Sequence, residues 1–311
     1  MITALAGGVG AARLLRGLIR VVPPGDVTAV VNTGDDTVLH GLHICPDIDT
    51  VSYTLAGRND DQRGWGLAGE TWTVMENLEA LGGESWFRLG DRDIATHLYR
   101  TQRLCQGATL STVTAELGRR LGVAVRLLPM SDQPVRTRLR LAADGREVAF
   151  QEYFVRLGHS VMVTGVRFEG AESASAAPGV IEAIDGADVV VVCPSNPVVS
   201  IAPILAVPGI ADALRRRRSN VVAVSPLVGG AALKGPADRL LVELGEQASA
   251  AGVARRYAEV CGTLVVDDVD SADSDAVIAT GMRCVVAPTV MHGPEEAAAL
   301  AKVVLDAGRL R

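Results

Sequence analysis

The feature that most constrains this chain is its opening. Ile2 to Ala6 is a short apolar run that passes directly into Gly7-Gly8-Val9-Gly10. The residues that follow carry Leu14, Leu15, Leu18 and Ile19 at helical spacing, which predicts a helix over Ala11–Val22. Pro23-Pro24-Gly25 ends that helix, and Val27–Val31 reads as a second strand. A strand, a crossover helix and a second strand are joined in so short a span only in a parallel β-α-β unit. The same alternation returns beyond residue 180. Strands are expected at Asp188–Cys193, Asn220–Ser225, Thr263–Val266 and Arg283–Ala287, with helices between them and a last helix over Pro294–Ala307. Short apolar strands separated by helices imply a mostly parallel sheet covered on both faces.

The expected fold class is therefore α/β: a Rossmann-like, doubly wound, mostly parallel sheet in one domain spanning residues 1–311. Two stretches depart from the alternation. Residues 50–122 read as a helical insertion broken by Gly64–Gly69 and Gly82-Gly83. Residues 125–168 read as a β-hairpin region, with alternation over Thr137–Leu141, an Asp144-Gly145 turn and a strand over Val148–Val155. With 48% hydrophobic and 21% charged residues the chain can bury a sizeable core, so disorder is excluded. A formal net charge of −6 argues against a partner bound through bulk basic charge, so no nucleic acid is expected. No apolar run reaches the length of a membrane span, and the N-terminus has no signal-peptide pattern, so a cytoplasmic location is expected. Cys45, Cys105, Cys193, Cys261 and Cys284 are far apart and odd in number, which disfavours disulfides and structural zinc.

Five strand-end or loop motifs can carry chemistry. Gly7-Gly8-Val9-Gly10, with Arg13 on the following helix, suits a phosphate held at a helix N-terminus, or else a plain tight turn. It lacks the third glycine of a dinucleotide fingerprint and the Lys-Ser/Thr of a Walker loop. Asn32-Thr33-Gly34-Asp35-Asp36 ends the second strand, and Cys45-Pro46-Asp47-Ile48-Asp49-Thr50 follows shortly after. Asp35, Asp36, Asp47 and Asp49 together could hold Mg²⁺ beside a diphosphate, although single residues among them also fit turn and cap roles. In Arg88-Leu89-Gly90-Asp91-Arg92-Asp93 the arginines could clamp a phosphate or stack on a ring, while Asp93 could simply cap the next helix. Ser195, Asn196 and Ser200, after a buried strand, offer neutral hydrogen bonds to a base or ribose. Ser225-Pro226-Leu227-Val228-Gly229-Gly230 with Lys234 is a further candidate phosphate loop. His40, His43, His97, His159 and His292 show no metal-ligand spacing and read as structural or solvated. There is no nucleophile elbow and no credible Ser-His-Asp set.

In this order the motifs resemble the CofD/FbiA family, the 2-phospho-L-lactate and phosphoenolpyruvate transferases of deazaflavin coenzyme F-420 biosynthesis. The resemblance rests on Gly7–Gly10 with Arg13, Val31–Asp36, His40-Gly41-Leu42, Cys45–Gly57, Arg88–Asp93, Leu128–Asp132, Pro194–Pro197 and Ser225–Leu227. It implies a Rossmann-like enzyme, usually a homodimer. The acceptor would be the deazaflavin Fo and the donor a guanosine diphosphate carrying a three-carbon acid, with Mg²⁺ as the cofactor. It further implies Fo contacts at Asp49 and Arg88, a diphosphate cradle at Gly8, Gly10 and Arg13, and a nucleotide face at Ser195, Asn196 and Ser200. Every basic residue except Lys234 and Lys302 is Arg, which suggests a GC-rich bacterial source and hence enolpyruvyl as the three-carbon acid, with lactyl and glyceryl open. Two other classes share parts of this pattern. The related YvcK-like nucleotide-sugar binders carry a Gly-Gly-Ser-Ser-Gly stretch where this chain has Thr37–Gly41. An NAD-dependent oxidoreductase is suggested by the glycine loop alone.

Overall fold

The computed structural model describes residues 1–309. Strand β1 (Ile2–Ala6), helix α1 (Gly8–Val21) and strand β2 (Val27–Val31) form the expected opening unit. The helix starts earlier than expected, because Gly8–Gly10 make its first turn, with Gly7 extended as the N-cap and no side chain capping it. A short hairpin follows, β3 (Thr37–Leu39) and β4 (Leu42–Ile44), whose turn residues His40 and Gly41 have φ of 53° and 74°. Next come α2 (Pro46–Leu55), α3 (Thr73–Ala80), α4 (Asp91–Cys105) and α5 (Leu110–Leu121), matching the helical insertion.

The region expected as a hairpin divides. Strand β5 (Arg126–Pro129) pairs in parallel with β2 and belongs to the main sheet. Strands β6 (Arg136–Leu141), β7 (Glu147–Ala149) and β8 (Val163–Glu169) form a separate antiparallel sheet in the order β7-β6-β8. Val148–Val155 is not one strand. It turns helical at Glu152–Arg156, because Phe150, Tyr153 and Phe154 have helical spacing and their rings turn to one side. Phe150 and Phe154 stack with centroids 5.3 Å apart.

The second half is α6 (Val180–Asp185), β9 (Val189–Val192), α7 (Ala202–Ala206), α8 (Ile210–Arg216), β10 (Val221–Val224), a two-residue ribbon β11 (Leu227–Val228) and β12 (Ala231–Ala232), α9 (Ala237–Glu243), α10 (Ala250–Tyr257), β13 (Thr263–Val266), α11 (Ser274–Ile278), β14 (Arg283–Val286) and α12 (Pro294–Arg309). The main sheet has seven strands, all parallel, in the order β14-β13-β10-β9-β1-β2-β5. The order reverses between β1 and β9, and a doubly wound sheet opens its ligand crevice at that point, outside the carboxyl ends of the strands.

Apolar side chains pack on both faces of the sheet. Leu5, Val30, Val190 and Val192 face one layer; Ala4, Ala6, Ala29 and Val191 face α1 and α12 in the other. The last helix crosses α1 at Gly17, where a Cβ would lie 2.1 Å from the Ala297 carbonyl oxygen. Only glycine lets the backbones approach so closely, so α12 closes the layer beneath the glycine turn. No single helix among the described residues is long and apolar enough to cross a membrane.

Candidate active site

A cleft of about 960 Å³ opens at the β1/β9 reversal. One wall is the glycine turn. A Cβ on Gly10 would lie 2.2 Å from the Pro194 carbonyl oxygen, so the loops after β1 and β9 are in backbone contact. Gly7 N–H donates to Ser195 Oγ at 3.3 Å, and Asn196 Oδ1 accepts from Val198 and Val199 N–H at 2.9 and 3.3 Å. Those bonds shape the second loop and leave the Asn196 amide NH₂ for a ligand. Arg13 reaches the Met291 carbonyl at 3.3 Å, tying in the segment before α12. The free N–H groups and positive dipole end of α1 favour an anion here.

The acidic loops meet at the centre. The Asn32 amide donates to Asp35 Oδ1 and to Asp47 Oδ2, each at 3.0 Å, while its oxygen accepts Gly34 N–H at 2.8 Å. Asp47 also accepts the Gly8 N–H, which links the carboxylate pair to the glycine turn. Burial and then the neighbouring Asp47 charge hold the Asp35 carboxyl well above its ordinary range. Burial raises Asp47 to about 6. Two buried carboxyls sharing one amide are a poor arrangement alone and a good one around a hard cation, so these residues fit a Mg²⁺ ion. Asp36 is not part of this group. Its side chain lines a separate cavity of about 290 Å³, hydrogen-bonded to the Cys45 thiol, and burial raises it to about 7.

Asp49 lies on the floor of the cleft, and both of its oxygens are taken by the buried Arg100 guanidinium, the Nη1–Oδ2 contact being 3.1 Å. Of the four carboxylates expected to act together, Asp35 and Asp47 share the Asn32 amide, Asp49 pairs with Arg100 and Asp36 lines the other cavity. Beside Asp49, the Tyr53 hydroxyl donates to Asp93 Oδ1 at 2.6 Å, and His97 lies between Asp93 and Arg100. Burial pushes the Asp93 carboxyl up, but hydrogen bonds from His97 and Tyr53 outweigh it and hold the group below its ordinary range. Asp93 is thus no helix cap. The first N–H groups of α4 are capped instead by Glu70, which accepts from Arg92 and Asp93 N–H at 2.8 and 2.9 Å.

The outer wall is aromatic and cationic. Trp65, Trp86, Phe87, Phe150 and Phe154 line the cleft. Arg63 lies over both Trp65 and Trp72, at 5.5 and 5.2 Å, and Arg88 over Trp72 at 5.3 Å. Lys234 reaches the same wall, since a Cβ on Gly64 would lie 2.2 Å from its Nζ.

Of the residues singled out in the sequence, Gly8, Gly10, Arg13, Asp35, Asp47, Asp49, Arg88, Ser195, Asn196, Ser200 and Lys234 all line this one cleft, and Asp36 does not. Arg92 is absent from the lining and donates to the Ala68 carbonyl at 3.0 Å. In the sequence Tyr53 falls within the Cys45–Gly57 stretch and Asp93 within Arg88–Asp93, His97 reads as structural or solvated, and Arg100 is not singled out. A signal was present: Asp93, His97 and Arg100 fall at helical spacing along one face of α4.

The model of the 2-phospho-L-lactate transferase CofD family matches residues 2–289. The chain belongs to that family. It is 48% identical to a phosphoenolpyruvate transferase of Streptomyces griseus over 98% of this chain and 97% of that protein. It is 47% identical to the enzyme of the same name from Streptomyces coelicolor, covering 98% and 97%, and 42% identical to that from Mycolicibacterium smegmatis, covering 98% of each. Two crystal structures of a UPF0052-family protein from Bacillus halodurans share the fold, with TM-scores of 0.64 and 0.66 at 17% identity over 98% of both chains. CofD membership makes the chain a transferase.

Proposed function

We propose that this CofD-family transferase moves a phosphoenolpyruvyl group from a guanosine-diphosphate-activated donor to the deazaflavin Fo, releasing GMP and giving dehydro-F-420-0. Names of relatives more than 40% identical over nearly the whole chain support enolpyruvyl rather than lactyl as the three-carbon group. The observation that carries the reading is the position of Asp35 and Asp47, with the glycine turn on one side and the aromatic wall on the other.

In this reading the donor's diphosphate lies against Gly8, Gly10 and the α1 N-terminus, with its guanosine toward Asn196 and Ser200. The planar deazaflavin ring lies among Arg88, Trp86 and Phe87, and its ribityl chain runs toward Asp49. A ribityl hydroxyl oxygen bonds to the phosphorus carrying enolpyruvate, the bond from that phosphorus to the GMP phosphate oxygen breaks, and GMP departs with the electron pair. The hydroxyl proton passes to a cleft carboxylate. Asp35 and Asp47 would hold Mg²⁺, which neutralises charge on the diphosphate when bound. Ser195 Oγ accepts the Gly7 N–H, which suits a loop role. Direct transfer between bound substrates needs alignment more than a protein nucleophile.

Calorimetric titration tests the nucleotide half. Saturable binding of GDP with no binding of NAD is expected. Binding of NAD but not GDP would overturn the reading in favour of an oxidoreductase.

A further inference from the structure

Asp49, Asp93 and His97 each present a ligand atom within 4.8 Å of the others, the geometry of a metal-binding triad. No cation needs to enter, because Arg100 supplies one. Its Nη1 lies 3.1 Å from Asp49 Oδ2, 3.2 Å from His97 Nδ1 and 3.2 Å from the His43 carbonyl oxygen. Arg100, His97, Asp49 and Asp93 are all at most 8% exposed.

The contacts set a direction. Arg100 has only donors, so His97 Nδ1 must accept and Nε2 carries the hydrogen. Nε2 is buried and lies 3.4 Å from Asp93 Oδ1, and Asp93 also takes the only hydrogen of the Tyr53 hydroxyl. What remains toward the cleft from Asp49, Asp93 and Tyr53 is lone pairs. A surface of acceptors alone suits a ligand segment made of donors, as a polyhydroxyl chain is, and leaves a bare ether or ester segment unpaired.

We infer that Arg100 is a positioning residue that fills a latent metal site, and that through Asp49 and His97 it fixes the cleft floor as an acceptor-only surface selecting the hydroxylated chain of the acceptor substrate. The selection of a hydroxylated acceptor rests on the transferase reading; the latent metal site does not.

Two experiments test it. In the first, Co²⁺ is titrated into wild type, Arg100→Ala and Arg100→Ala/His97→Gln, with visible absorption as the readout. The single variant should gain one equivalent of the intense bands of a nitrogen-containing, low-coordinate site, and millimolar guanidinium should abolish them. Wild type and the double variant should show only the weak absorption of oxygen sites. Intense bands in wild type, or none in a folded Arg100→Ala protein, would overturn the latent site. In the second, Arg100→Lys retains the charge but loses the fork that holds Asp49 at two points. The acceptor KM should rise about tenfold while the donor KM changes less than about twofold, since about 1.4 kcal/mol of floor contacts is lost on one side only. An unchanged acceptor KM, or an equal rise for both substrates, would refute the positioning role. If Arg100→Ala does not fold, the Lys variant decides. If wild type does not turn over, the cobalt experiment decides.

Discussion

Replacing Asp47 by Asn should stabilise the metal-free protein while removing its response to Mg²⁺. The amide oxygen of the new side chain can still accept from Asn32 and Gly8, so little changes except charge. Burial raises the Asp47 carboxyl from 3.8 to about 6 in the folded chain. A raised folded value means that the favourable contribution is complete below the unfolded value and is lost as pH rises through about 6. Above that range the ionised group destabilises the fold by about 3 kcal/mol relative to the unfolded chain. Asn does not ionise, and its neutrality also relieves the Asp35 carboxyl, which the Asp47 charge raises. Near pH 8 in EDTA, Asp47→Asn should therefore melt several degrees above wild type, and near pH 4 the two should coincide. Mg²⁺ should raise the wild-type midpoint and leave the variant almost unmoved. Melting followed by circular dichroism at both pH values, with and without Mg²⁺, measures all of this. A metal-free variant no more stable than wild type near pH 8, or one that Mg²⁺ stabilises equally, would refute the reasoning.

Three further outcomes are expected. Gly10→Ala places a methyl group against the Pro194 carbonyl and must separate the two loops, so nucleotide affinity measured by calorimetry should fall at least about tenfold, at a stability cost of about 1–3 kcal/mol. Asp49→Asn removes the counter-charge of a buried Arg100, so turnover should be lost and urea unfolding should show a loss of about 3 kcal/mol. Glu70→Ala uncaps α4 at Arg92 and Asp93, which should cost about 1 kcal/mol in the same assay and loosen the Trp72–Arg88 wall, read as a change in tryptophan fluorescence.

Where the chain's periodicity was unambiguous the fold was legible. Ile2–Ala6, Val27–Val31 and Thr263–Val266 appear as strands with the expected limits, because short β-branched and apolar runs between turn residues have few other uses in a buried parallel sheet. Val148–Val155 misled because its apolar residues satisfy two periods, and the aromatic spacing prevailed. Arg126–Pro129 seemed local to the following hairpin, yet it pairs with β2 across nearly a hundred residues, a partnership that no local pattern reports. The site was legible where loops end strands, since topology alone brings those ends together. The grouping of the four aspartates was not. Asp36 and Asp49 are each close in sequence to a cleft carboxylate, but the turn after Asp35 sends Asp36 to the other cavity, and Arg100 on α4 claims Asp49. Both outcomes depend on packing between elements.

Purified protein incubated with Fo, Mg²⁺ and, in turn, enolpyruvyl-, lactyl- and glyceryl-diphosphoguanosine should give a new phosphodiester of Fo by mass spectrometry, with equimolar GMP and the enolpyruvyl donor strongly preferred. A folded protein that binds GDP and Fo yet forms no phosphodiester from any of the three donors would contradict the account.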